Sequence, residues 1–321
     1  MSDARLERLH TPMGCDSRRE AVTVDDQLDT SQQSDVPLPP LAGDAAAVPG
    51  PPSPTAVEEK VAPAHAYVYA IGQLEPRFPS LSVEKEFAQV VGRGNSTGLT
   101  DREALRATLA DRANRYLARR LCWVLLIGSL ETYVLIPRDS ADLELLVEAL
   151  PTESGGGDLN VVVGQRGPIT PPDVCGGLSV PMVILDQMWS FPRDALLAAI
   201  PHPEGTKEDR ERFEATAGEL FDRVLQLADN AGATDQHRAL NYLAVRDPSI
   251  YTRTAEAYAG NASLSSVDVR PSHLAGFRSI VDVVFSYTHR ETDVTEKFFV
   301  RVDVTEEFPF LVSRLAPFYE H

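Results

Sequence analysis

Residues 279–304, SIVDVVFSYTHRETDVTEKFFVRVDV, hold two apolar runs separated by a polar break. Val281, Val283, Phe285 and Tyr287 fall on one face of the first run; Phe298, Val300, Val302 and Val304 fall on one face of the second. A period of two is the pattern of a strand with one face against a core, and THRETD supplies a turn, so the stretch reads as a long antiparallel hairpin. Downstream, Phe308, Phe310, Leu311 and Leu315 read as apolar anchors that dock the end of the chain.

Three helical runs precede the hairpin. Phe213, Ala217, Leu220, Val224 and Leu227 make one stripe of a long helix predicted over 208–230, with Gly232 just beyond its end. Thr234 caps a second helix whose buried side is Ala239, Leu240 and Leu243, and Asp247-Pro248 stops it, because the residue before proline avoids helical angles. A third run carries Ile250, Thr254 and Tyr258. A hairpin packed on amphipathic helices predicts an α+β protein, with a mostly antiparallel sheet against several helices.

Nearer the N-terminus the pattern is mixed. AYVYAIGQL alternates as a strand, with Tyr67, Tyr69 and Ile71 on one side and Val68 and Ala70 on the other. Leu81 to Val91 reads as a short helix and VGRGNSTG as a loop. Thr100 and Glu103 form a capping box for a helix with Leu105, Leu109, Ala113 and Tyr116 on one stripe. CWVLLIGSLETYVLIPR reads as two strands, or one bent strand, broken at Gly128-Ser129; SADLELLVEAL reads as a helix, GGGDLNVVVGQRGPI as a turn and strand, and Val180 to Leu185 as a further strand. Residues 1–63 differ in kind: a charged, aromatic-poor opening passes into VPLPPLAGDAAAVPGPPSPT, too poor in buriable surface to offset backbone entropy. The expected organisation is a disordered Pro-rich tail over 1–63 and one folded domain over 64–321.

The whole sequence carries a formal net charge of -17, which repels phosphate backbones and anionic lipid, so neither nucleic acid nor a membrane is expected as partner. Three scattered cysteines, Cys15, Cys122 and Cys175, form no CxxC pair, and the expectation is free thiols in a reducing, cytoplasmic setting. Cys122 then reads as a small core residue, and Cys175 as an exposed loop thiol.

The phrases LADNAGATDQHRALNYLAVRDPSIYTRTAEAYA, VDVVFSYT, TEKFFVRVDVTEEFPFLVSRLAPF, AYVYAIGQL, IPRDSADLELLVEAL and VPMVILDQMWSF resemble, from about His65 to the end, the C-terminal domain of unknown function of the cyanobactin maturation PatA/PatG family. In that family the domain resembles an appendage of subtilisin-like proteases that cut and macrocyclise ribosomally made precursor peptides. The Gly-Thr-Ser and His-Gly-Thr elements of such proteases are absent here, and about 63 low-complexity residues are too few for a domain that brings Asp, His and Ser together. The resemblance therefore implies the accessory domain standing alone, leaning away from an enzyme.

Two clusters are candidates for binding peptide or partner. Asp235, His237 and Arg238 crowd the first turn of a helix, where free amides favour anions, with Asn241 four residues beyond His237. More simply, Asp235 helps cap the helix and His237 packs. Asp303, Glu306 and Glu307 lie beside Phe308 and Phe310, which suits a basic peptide, or is only the wet end of a hairpin. No resident cofactor is expected, and the metal-ligand spacing that marks a zinc site is absent; a site gathered from Cys175, His202, His237 and His273 is the form a metal centre would have to take. The function expected is a non-catalytic recognition module in peptide maturation that binds precursor peptide or a tailoring enzyme. The alternatives are a metal- or Cys-dependent hydrolase using Cys175 and His237, and a structural domain that forms a homodimer.

Overall fold

The computed structural model describes residues 67–93, 101–150, 158–201, 207–227, 229–274 and 276–319. The tail, Thr100 of the capping box, most of the VGRGNSTG loop and His202 lie outside the described residues. Among the described residues two sheets and eight α-helices make an α+β protein, as the patterning predicts.

The first sheet closes on itself. Strands β1 (Tyr67–Arg77), β2 (Cys122–Ile127), β3 (Leu130–Ile136), β4 (Asp158–Ile169) and β5 (Pro181–Pro192) form a barrel in the order β1-β2-β3-β5-β4. Every pairing is antiparallel except β3 with β5. Closure depends on β1 serving two neighbours: Tyr67 to Gly72 pair with β4, and Gln73 to Arg77 pair with β2. At the changeover a Cβ on Gly72 would stand 2.3 Å from the Leu126 carbonyl oxygen, so only glycine lets β2 approach there. With helix α4 (Ser140–Glu148) between β3 and β4, this is the strand order of an OB-fold barrel.

Helices α1 (Leu81–Arg93), α2 (Asp101–Ala110) and α3 (Arg115–Ala118) occupy the long β1–β2 connection. The sequence suggests one helix through Tyr116, but Asp111 ends it by accepting a hydrogen bond from the Ala113 amide at 3.0 Å, and Tyr116 emerges at the surface. The barrel interior is filled by Val68, Ala70, Trp123, Leu125, Leu135, Val162 and Leu185, sealed by Leu109, Leu117, Leu143 and Leu146 of the helices.

The other face of β1 and β4 is buried as well. Tyr69, Ile71, Val161 and Val163 join a second core with helices α5 (Arg193–Ala199), α6 (Lys207–Leu225), α7 (Asp235–Arg246) and α8 (Ser249–Ala259). This core continues onto the inner face of the second sheet, where Val281, Val283, Phe285, Tyr287, Val300 and Val302 sit as the alternation predicts. That sheet consists of β6 (Ala262–Pro271), β7 (Ile280–His289), β8 (Thr295–Asp303) and two short strands on β8, β9 (Phe310–Leu311) and β10 (Ala316–Pro317).

One expectation fails and another holds only in part, each for a physical reason. Helix α6 stops at Leu225, five residues early, and Gly232 serves β1: its carbonyl accepts from the Tyr69 amide at 2.9 Å, at a φ of +73°. A Cβ there would stand 2.4 Å from the Tyr69 oxygen. The apolar anchors of the C-terminus hold only in part: Leu315 packs against the second core, but Phe308, Phe310 and Leu311 are 46%, 45% and 37% exposed, and backbone pairing of β9 and β10 to β8 holds the chain end.

Candidate functional site

The cap of α7 is read correctly: the Thr234 hydroxyl accepts the His237 amide at 3.1 Å. One turn later Arg238 points inward and is 1% exposed. Its Nη1 donates to the Val304 carbonyl at 2.7 Å, and its Nη2 to the carbonyls of Glu306 and of Glu307, the latter at 3.1 Å. Asp235 lies 3.7 Å from Nη1, and the Tyr67 ring faces the guanidinium at 5.5 Å. Burial pulls the pKa of Arg238 below its ordinary value, while Asp235, Tyr67, Glu307 and Asp303 oppose that pull.

Asn241, on the same face of α7, is equally committed. Its amide donates to the Tyr69 carbonyl at 2.8 Å, and its side-chain oxygen accepts from Asn230 at 2.7 Å. Asp303 is buried, ion-paired to Arg278, and accepts the Thr305 amide at 2.8 Å. The two candidate clusters, some 65 residues apart in the chain, are thus joined through Arg238. The junction staples α7 to the end of β8 and to β1. Arg238 and Asn241 spend these donors on the protein's own carbonyls, whereas Glu306 is exposed, and Asp235, His237 and Glu307 are half-buried. Beside them Arg278 stacks on Phe310 at 5.5 Å, and Phe277 is exposed.

Cys175 is not an exposed thiol. It is 4% exposed and disulfide-bonded to Cys122, which ties the β4–β5 loop to the first residue of β2 and corrects the expectation of free thiols. A disulfide sulfur is not a thiolate, so the hydrolase built on Cys175 and His237 has no nucleophile in this state. Among the described residues no group of three or more His, Cys, Asp or Glu could hold a metal ion.

Sequence reasoning missed the outer face of the second sheet, where an open cavity of about 440 Å³ is lined by Arg270, Asp282, Phe299, Arg301 and Phe318. The signal was present in KFFVRVD: Phe299 and Arg301 alternate with Phe298, Val300 and Val302. Two more cavities flank the barrel, about 300 Å³ beside Gln73, Leu105 and Asn160, and about 560 Å³ beside Arg119, Arg138 and Cys175.

Fold and site together define an α+β protein in which the outer face of β1 and β4 of the barrel packs into the same core as the second sheet, with a buried arginine junction where α7 meets the end of β8. The comparisons place it more closely. Residues 207–318 match the family model of the PatG C-terminal domain, the family the sequence resembles. A solved PatG domain of unknown function superposes with a TM-score of 0.65 at 21% identity, covering 79% of this chain and 99% of that one. That coverage is more than residues 207–318 can supply, so the likeness of fold takes in much of the barrel. No curated protein matches the chain. Among the described residues no helix is long and apolar enough to cross a membrane.

Proposed function

We propose that the protein is a recognition module in the maturation of a ribosomally made, post-translationally modified peptide, binding precursor peptide or a tailoring enzyme without catalysing the chemistry. The observation that carries this reading is the PatG C-terminal match, because residues 207–318 include all seven candidate residues, Asp235 to Glu307. The exposed acid and aromatics at the end of β8 support a basic segment as the part recognised, since Glu306, Phe308 and Phe310 supply charge and ring faces for lysine or arginine. The net charge of -17 favours such a partner over nucleic acid or anionic lipid.

The test is binding of the full chain to the precursor peptides and enzymes encoded beside its gene, measured by calorimetry. A complex weakened several-fold by E306Q together with E307Q supports the reading. No binding to any of them, with unchanged pathway product after gene deletion, overturns it. A cytoplasmic setting belongs to the same proposal, and the Cys122–Cys175 bond weighs against it, because disulfides persist chiefly in oxidising compartments. Trapping thiols at lysis decides: a reduced pair supports the cytoplasm, an oxidised pair removes it.

A further inference from the structure

On the outer face of the second sheet two arginines, Arg270 of β6 and Arg301 of β8, flank a single carboxylate, Asp282 of β7, in register across three strands. Arg301 on β8 stacks on Phe299 at 4.7 Å, and its Nε donates to Asp282 of β7 at 3.0 Å. Asp282 is 5% exposed and engages Nε, so this bond fixes the guanidinium plane of an arginine that lines the cavity. Arg270 at the end of β6 stacks on Phe318 at 4.6 Å, and Phe318 meets Phe299 edge-on at 5.7 Å. The Phe318 amide donates to the Lys297 carbonyl at 2.8 Å, which holds the aromatic wall in place. His273 closes one side.

We propose that this cavity binds a single carboxylate carried next to an aromatic or apolar group, as on a peptide end or an acidic peptide side chain. Charge count selects the ligand. Two guanidinium groups against one Asp282 carboxylate leave a surplus of one positive charge, matched by one carboxylate and not by a phosphate dianion. Geometry agrees: a guanidinium presents parallel N–H donors to both oxygens of a planar carboxylate, and the rings of Phe299 and Phe318 cover the adjoining apolar group. The site is a local positive spot on a strongly negative molecule, so it stands out to an anion that the rest of the surface repels. The inference rests on this cavity alone and holds whatever pathway the protein serves.

The full chain is titrated by calorimetry with four probes: N-acetylphenylalanine, its amide, N-acetylglutamylphenylalanine amide, and inorganic phosphate. Either carboxylate probe binding at least about tenfold tighter than the neutral amide supports the site, and the tighter of the two tells a peptide end from a side chain. R270Q removes one guanidinium and leaves the Arg301–Asp282 pair intact; it should weaken the carboxylate probe about tenfold and leave the circular dichroism spectrum unchanged. R301Q should do the same, and where it lowers folding yield by stranding Asp282, R270Q decides. Equal binding of acid and amide, inorganic phosphate binding as tightly as the acid, an unaffected R270Q, or no binding of either acid at millimolar concentration each overturns the proposal.

Discussion

Replacing Arg238 by methionine tests the buried junction, because the thioether keeps most of the stem volume and removes only the charged fork. Three carbonyls lose their donor. The Val304 carbonyl belongs to a residue with almost no exposure and cannot recruit water freely, whereas those of Glu306 and Glu307 lie nearer the surface. A stranded buried carbonyl costs about 1–3 kcal/mol, and hydrogen bonds from a charged donor contribute about 1.5–3 kcal/mol each before its desolvation is subtracted. Relief of that desolvation offsets part of the loss, so the net destabilisation expected is about 3 kcal/mol. In urea, with a slope of about 3 kcal/mol per molar for a domain of this size, the midpoint should fall by about 1 M with the slope unchanged. R238K should fall between, since an ammonium reaches fewer carbonyls. A shift of R238M below about 0.2 M would show that the junction is incidental to stability and refute the reasoning.

Gly232→Ala forces a Cβ to within 2.4 Å of the Tyr69 oxygen at a φ of +73°, so a loss of about 2–4 kcal/mol is expected, read as a lowered Tm. Replacing Cys122 and Cys175 together by serine opens a loop of 53 residues and should cost up to about 4 kcal/mol by loop entropy; mass spectrometry should find both protected from alkylation until reductant is added. Burial raises the Tyr287 phenol from 10.0 to about 12, and raises Tyr69 and Tyr251 in the same direction. A raised folded pKa means that the unfolded chain loses its proton first: stability is intact below pH 10, falls as pH climbs from 10 towards 12, and Tyr287 alone accounts for about 2–3 kcal/mol of the loss. Tyrosinate absorbance titrated alongside urea unfolding checks this, and a flat profile over that window contradicts the burial. Light scattering giving twice the mass of one chain would support the homodimer, and the mass of one chain would remove it.

Local order was written in the sequence where one element could be judged alone. The alternation of Val281, Val283, Phe285 and Tyr287 named both the strand and its buried face, and Thr234 named the start of α7, because each depends on side chains within a few residues of one another. The candidate residues of α7 and β8 were likewise picked out by charge. Whether they bind outward or staple inward was not legible, since Arg238 meets its partners 66 to 69 residues away.

The sequence by itself determined the strands of the β7–β8 hairpin and their buried face, the core-facing stripes of α6 and α7, and that the molecule is strongly acidic, but not where α2 and α6 end. Only the tertiary structure decided that the first five strands close into a barrel through a parallel β3–β5 pairing, that Cys122 meets Cys175, and that Arg270 and Arg301 line one cavity. Periodicity records how a segment meets a core, but pairing of distant segments is fixed by the collective packing of all of them, and no local pattern encodes it.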